Sequence, residues 1–130
     1  MDLHVRRILI VEDEPQLLGL LKAHLEIKMP AVEVEGVGSA EEALVRLQAQ
    51  EYDLILSDYH LPRMDGVELL RRSQRTHPAA HRVLMTGAPE ENLAPTAAHD
   101  AGIDRFFVKP LDVKALARTL EGLLPRDKAQ

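Results

Sequence analysis

Glu12, Asp13, Asp58, Thr86 and Lys109 are the residues of this chain whose types and positions could do chemistry together. Each closes a short apolar run. Ile8-Leu9-Ile10-Val11 leads into Glu12-Asp13, and Leu54-Ile55-Leu56-Ser57 leads into Asp58. Val83-Leu84-Met85 leads into Thr86, and Phe106-Phe107-Val108 into Lys109. If the runs are parallel strands, these polar residues gather at one edge of one sheet, where open α/β sheets place ligand sites. Three carboxylates in one pocket repel and raise each other's pKa unless a cation neutralises them. Hard oxygen ligands suit Mg²⁺, which takes one or two protein carboxylates and keeps several waters or phosphate oxygens. A lysine aimed at such a pocket can pair with a carboxylate and then with an incoming phosphoryl oxygen. Thr86 adds a hydroxyl, and Gly87 beside it lets the backbone approach closely. Acids, hydroxyl and ammonium in one place point to chemistry on a phosphoryl group held by a metal ion. Singly, each residue reads as ordinary: solvated loop acids, a strand-ending threonine, a lysine at a sheet rim.

The elements that must position them follow from periodicity and turn signals. The first strand runs from about Arg7 to Val11. A helix starts near Glu14-Pro15, where proline suits the first turn, and carries Leu17, Leu18, Leu21 and Leu25 at helical spacing. It stops before Met29-Pro30, because proline disfavours helix in the residue ahead of it. Val32, Val34 and Val37 read as a second strand. Ser39 followed by Glu42 has the form of a capping box, with Ala40, Ala43, Leu44 and Leu47 as the apolar face behind it. The third strand, Asp53 to Ser57, is nearly all apolar, as in a strand covered on both faces. A loop from Tyr59 to Met64 precedes Asp65, the expected cap of a helix carrying Val67, Leu69 and Leu70. The fourth strand is Arg82 to Met85. The fourth helix contains Pro95, which cannot sit in a regular helix interior without losing a hydrogen bond, a cost of ~3 kcal/mol. That helix is expected to start near Ala94 or in a distorted turn, to end at Gly102, and to be short or mobile, its ordering forming part of any signal. Arg105 to Val108 is the last strand. Asp112 caps a final helix with Val113, Leu116, Leu120, Leu123 and Leu124 on one face. Five strands and five helices in strict alternation, with short right-handed crossovers, give a parallel sheet covered on both faces.

Composition bounds the function. At 130 residues and 45% hydrophobic, the chain suits one domain with a sizeable core. The net charge of −5 argues against broad attraction to nucleic acid or an anionic membrane. Without cysteine there are no disulfides, thiolate metal sites or thiol nucleophiles. No apolar stretch approaches the ~20 residues of a membrane span, and the first residues lack the layout of a signal peptide. The default expectation is a cytoplasmic protein. Two tyrosines, two phenylalanines and no tryptophan leave little for stacking on bases. His77 and His81 are expected in a surface loop, since Pro78 interrupts any helix they could share. Arg71, Arg72 and Arg75 read as a solvated helix face.

Four segments resemble the receiver domains of two-component response regulators, of the chemotaxis-regulator type. They are Ile8-Leu9-Ile10-Val11-Glu12-Asp13-Glu14, Leu56-Ser57-Asp58-Tyr59-His60-Leu61-Pro62-Arg63-Met64-Asp65-Gly66, Met85-Thr86-Gly87 and Phe106-Phe107-Val108-Lys109-Pro110. Order and spacing match from about Arg7 to Leu124. The resemblance implies a flavodoxin-like doubly wound sheet of strand order 2-1-3-4-5, occupying residues 1–124 before a polar tail, 125–130. It implies that Asp58 is the phosphoacceptor, and that Glu12, Asp13, Asp58 and the backbone carbonyl of His60 hold Mg²⁺. Thr86 and Lys109 would contact phosphoryl oxygens. Thr86 and Phe106 would form the switch, and the Lys109-Pro110 bond would be cis. The implied partners are a histidine kinase or phosphotransfer protein and a downstream effector, with a homodimer through the fourth helix, last strand and last helix as a further expectation. Direct binding of nucleic acid or membrane is not expected. The segment after Leu124 is too short for an effector, so the chain reads as a stand-alone receiver or one cut from a larger regulator. Such a domain catalyses only its own phosphorylation and dephosphorylation.

The departures bear on regulation. Glu12 stands where aspartate is commoner, Phe106 lacks a tyrosine hydroxyl, and His60 and Ala88 flank the acceptor where phosphate lifetime is tuned. Three rival readings are set against this resemblance. A flavin-binding domain needs a Ser-, Thr- and Gly-rich loop after the first strand, where this chain has Glu12-Asp13-Glu14-Pro15. An aspartyl-phosphate hydrolase commonly places two aspartates two apart there, and Asp13 is followed instead by Pro15. A pseudo-receiver usually has degraded site residues, whereas the full set is present here.

Overall fold

The computed structural model describes residues 4–87 and 95–124. Five strands form one parallel sheet in the order β2-β1-β3-β4-β5. They are β1 (Arg7–Val11), β2 (Glu33–Val37), β3 (Leu54–Asp58), β4 (His81–Thr86) and β5 (Arg105–Val108). Among the described residues the helices are α1 (Pro15–Lys28), α2 (Ala40–Ala49), α3 (Gly66–Thr76), α4 (Pro95–Asp100) and α5 (Val113–Leu123). This is the doubly wound sheet expected from the alternation.

Side chains of β1 alternate between two cores, as the pleat requires. Ile8 and Ile10 pack with Leu21 and Leu25 of α1 and Leu116 and Leu120 of α5. Leu9 and Val11 pack with Ala40, Ala43 and Leu47 of α2 and Leu69 and Leu70 of α3. The central strands β1 and β3 are largely apolar because both of their faces are covered; every residue of β3 is buried, whereas the edge strands β2 and β5 carry exposed residues.

The caps lie where the sequence places them. Ser39 Oγ accepts from the Glu42 amide at 3.1 Å, Asp65 Oδ1 from Glu68 at 2.9 Å, and Asp112 Oδ1 from Ala115 at 3.1 Å. Strand ends differ by a residue in places. β2 starts at Glu33, β3 runs from Leu54 through Asp58, and β4 runs from His81 through Thr86. Pro95 is the first described residue of α4, a position where proline's missing N–H is tolerated. The helix ends in a Schellman turn: Ile103 N–H bonds Ala98 O at 3.1 Å and Gly102 N–H bonds His99 O at 3.0 Å. Gly102 has φ +70°, which suits glycine. Ala88, the expected start near Ala94, and the tail at 125–130 lie outside the described residues. No helix among the described residues is long and apolar enough to cross a membrane.

One expectation is corrected. His77 is not on a surface loop; it is 4% exposed. As the residue capping the end of α3, it places Nε2 2.9 Å from Gln50 O and Nδ1 2.7 Å from Thr76 Oγ1. These local polar partners satisfy the ring and allow its burial. His81 begins β4 rather than lying in the loop.

Candidate functional site

Strand register builds the site. β1 and β3 pair Val11 with Ser57, so the next residue of each, Glu12 and Asp58, leave the sheet side by side. β3 and β4 pair Asp58 with Met85, one residue before Thr86. β4 and β5 pair Thr86 with Val108, and Lys109 N–H then bonds Thr86 O at 2.9 Å. Four separate strand ends therefore meet at one edge, as the sequence predicts.

Glu12, Asp13 and Asp58 bring one carboxylate oxygen each within 4.8 Å of the others. Glu12 and Asp58 are buried, at 1% and 5% exposure, and Asp13 is exposed. Lys109 Nζ stands 3.2 Å from Asp58 Oδ2 and 3.2 Å from Glu12 Oε1. The other Glu12 oxygen accepts from the Glu14 amide at 3.2 Å. Burial, and then the Asp58 charge, raise the Glu12 carboxyl above its ordinary 4.5, against the pull of Glu14 N–H and Lys109. Burial alone would lower the Lys109 ammonium; Asp58 and Glu12 outweigh it and hold it above its ordinary value. Three acids facing one ammonium leave an excess of negative charge. This hard oxygen set fits a divalent cation of the Mg²⁺ kind.

Thr86 is buried at the end of β4, at 2% exposure, and Phe106 stands on the edge strand β5 at 42%. His60 is exposed on the loop after β3, its ring edge-on to Tyr59 with centroids 4.8 Å apart. The Lys109-Pro110 bond is cis. Glu12, Asp13, Asp58, His60, Thr86 and Lys109 thus lie on or beside this edge, and Phe106 pairs with Leu84 two residues before Thr86. A cavity of about 740 Å³ lined by Met29, Pro30, Val32 and Leu124 lies at the other end of the strands and contains none of them.

Two supports of Asp58 carry no role in the sequence reading. Ser57 Oγ donates to Asp58 O at 2.9 Å. Gly66, the first residue of α3, lies so close that any Cβ there would collide with Asp58 O. A glycine directly after a capping aspartate was the available signal. The loop between is closed by Gly66 N–H to Tyr59 O at 2.9 Å, and within it Arg63 has φ +69°.

The sequence model of the response regulator receiver domain matches residues 8–121. The chain is 33% identical over 122 residues to the response regulator ArlR of Staphylococcus saprophyticus, covering 92% of this chain and 53% of that one. It is 33% identical over 126 residues to the phosphate regulon transcriptional regulatory protein PhoB of Rhizobium meliloti, covering 95% and 54%. The chain thus spans about half the length of these curated relatives. Among solved structures it resembles a CheY-like receiver domain protein from Methanospirillum hungatei, with TM-score 0.81, 30% identity, and coverage of 92% and 94%. It also resembles response regulator protein TrrA of Thermotoga maritima, solved in complex with Mg(2+)-BeF, with TM-score 0.79, 28% identity, and coverage of 92% and 99%.

Proposed function

The chain belongs to the response regulator receiver domain family of two-component systems, and on that premise we propose that it accepts a phosphoryl group on Asp58 in a magnesium-dependent reaction. The observation that carries this reading is the placement of Lys109 Nζ, 3.2 Å from both Asp58 and Glu12 within the cluster of three acids. The Mg(2+)-BeF complex of the Thermotoga maritima neighbour supports it.

Glu12, Asp13, Asp58 and the His60 carbonyl would hold the metal. A bound Mg²⁺ would supply positive charge against the acids and the oxygens of the transferring group. An Asp58 carboxylate oxygen then attacks phosphorus as the bond to the donor, a histidine of a kinase or phosphotransfer protein, breaks. The P–O bond forms, and the bonding electrons leave with the donor imidazole. Lys109 passes from pairing two carboxylates to pairing a phosphoryl oxygen. The product carries about 1.5 to 2 negative charges at one point. Thr86 hydrogen-bonds another phosphoryl oxygen, and Phe106 turns inward from its exposed position behind it. The face formed by α4, β5 and α5 changes shape and engages an effector or a second copy of the chain. This is a local charge biasing a two-state element. The domain turns over no external substrate and works in the cytoplasm.

The test is a metal-dependent response to a phosphoryl mimic. With Mg²⁺ and beryllofluoride, amides around Asp58, Thr86 and Phe106 shift in a ¹H–¹⁵N spectrum; with Asp58→Asn, or without Mg²⁺, they do not. A wild-type spectrum that ignores the mimic overturns the reading.

A further inference from the structure

Arg82 is an arginine at 6% exposure with no role in the site described above. It lies near the start of β4, at the end of the sheet away from Asp58. Its guanidinium donates to three carbonyls: Gly102 O at 3.1 Å, His77 O at 2.8 Å and Pro78 O at 3.3 Å. Its backbone is tied as well. Arg82 N–H donates to Asp104 Oδ2 at 2.9 Å, and Asp104 N–H donates to Arg82 O at 2.7 Å. One side chain thus joins the end of α3, the start of β4 and the turn that closes α4.

That turn is also held from α3, where Gln74 Nε2 donates to Asp100 O at 3.2 Å. Gly102 has φ +70°, and any Cβ there would strike Gln74 and crowd Arg82. Behind it Ala101 is fully buried. The helix itself is different. The described part of α4, Pro95–Asp100, has six residues, none of them buried. It is fixed at its C-terminal end by hydrogen bonds and has almost no core packing along its length. An element with few buried contacts opens at low free energy unless something else restrains it.

We propose that Arg82 anchors the C-terminal end of α4 to the sheet as a fixed pivot, so that switching at Asp58 and Thr86 tilts α4 about Gly102 instead of displacing it whole. Arg82 is a positioning residue in this scheme; it touches neither acceptor nor metal. The pivot rests on the phosphoacceptor reading for its trigger, while the anchor itself is a property of the unmodified chain. Hinges of this kind absorb the backbone change at a few terminal positions of an element. The arrangement gives the short helix a defined direction of movement.

Amide hydrogen exchange and ¹H–¹⁵N spectra of the full chain test it, with and without Mg²⁺ and beryllofluoride. In the wild type, amides of Thr96 to His99 shift on adding the mimic, and those of Gly102 to Asp104 stay in place and protected. In unliganded Arg82→Met, protection of the Gly102 and Ile103 amides falls about tenfold or more relative to β1. The mimic still binds at Asp58, and its perturbation now spreads through Gly102 to Asp104. If Arg82→Met does not fold, Gln74→Ala is read in the same way, with a smaller loss of protection. Equal shifts along Thr96 to Asp104 in the wild type overturn the pivot and leave the receiver reading intact. Unchanged protection in the variant overturns the anchor. A wild type with no response at Asp58 overturns the receiver reading and with it the pivot, while the anchor is still read from protection in unliganded Arg82→Met.

Discussion

Lys109 Nζ lies 3.2 Å from Asp58 Oδ2 across the sheet edge, and the same ammonium lies 3.2 Å from Glu12. The strands that carry the two partners, β5 and β3, are not neighbours; β4 separates them. The contact therefore depends on the registers of three strands and reports on the whole edge. It also states the electrostatic problem of the site, which is one cation for three acids.

Replacing that cation gives the first expected result. Lys109→Met leaves the buried Glu12 and Asp58 carboxylates facing each other. In the metal-free chain it costs about 1–2 kcal/mol of stability at neutral pH, read from the denaturant midpoint. The rate of phosphorylation by acetyl phosphate falls about a hundredfold, as when one donor to a developing charge is removed. A variant phosphorylated at the wild-type rate contradicts the role assigned to Lys109.

pH dependence separates Glu12 from Glu68 by sign. Glu12 is raised above 4.5 by burial and then by Asp58. The folded chain therefore holds that proton more tightly than the unfolded chain does. Stability falls as pH rises from 4.5 through the raised value, and the penalty is complete above it. Glu68 is held down to about 2 by hydrogen bonds from Arg71 and Arg72. Its contribution is present above 4.5 and is lost as pH falls toward 2. Metal-free Glu12→Gln should melt above the wild type at pH 7, with the gap closing toward pH 4.5. Thermal melts across that range check it, and a variant less stable than wild type at pH 7 is the opposing result.

Two glycines make a matched pair. Gly66→Ala drives a Cβ into Asp58 O and should cost about 1–3 kcal/mol while weakening Mg²⁺ binding. Gly122→Ala, on α5 with open space around the new methyl, should stabilise by about 0.4–1 kcal/mol and leave Mg²⁺ binding alone. Denaturant titration and metal titration read both. Equal and small effects at the two positions would show that the approach of α3 to Asp58 is not tight.

The legible parts of the molecule were those written in neighbouring residues. Ser39, Asp65 and Asp112 announce helix starts because a cap bonds an amide only a few residues ahead. Ile8 to Val11 and Leu54 to Ser57 announce parallel strands because both faces are buried. The convergence of Glu12, Asp58, Thr86 and Lys109 then follows from topology. Arg82 and His77 were not legible. Their partners are carbonyls of turns, at Gly102, Pro78 and Gln50, and a backbone acceptor leaves no mark on residue type. Arg63 at positive φ gave no warning for the same reason, since neither glycine nor asparagine stands there.

Thr86 should separate phosphorylation from its consequence. Thr86→Ala removes the buried hydroxyl that we propose contacts the phosphoryl group and leaves the acids and Lys109 in place. Beryllofluoride should still shift the Asp58 amide, while the Phe106 ring signals stay at their unliganded, exposed position. In the wild type those ring signals should move on addition of the mimic. Movement of Phe106 in the variant equal to wild type would remove Thr86 from the switch.

The most direct measurement is the intact mass of the chain after incubation with acetyl phosphate and Mg²⁺. The wild type should gain the mass of one phosphoryl group; Asp58→Asn should gain none, and neither should the wild type with the metal chelated. No gain in the wild type, or an equal gain in Asp58→Asn, would contradict the assignment of Asp58 as the acceptor.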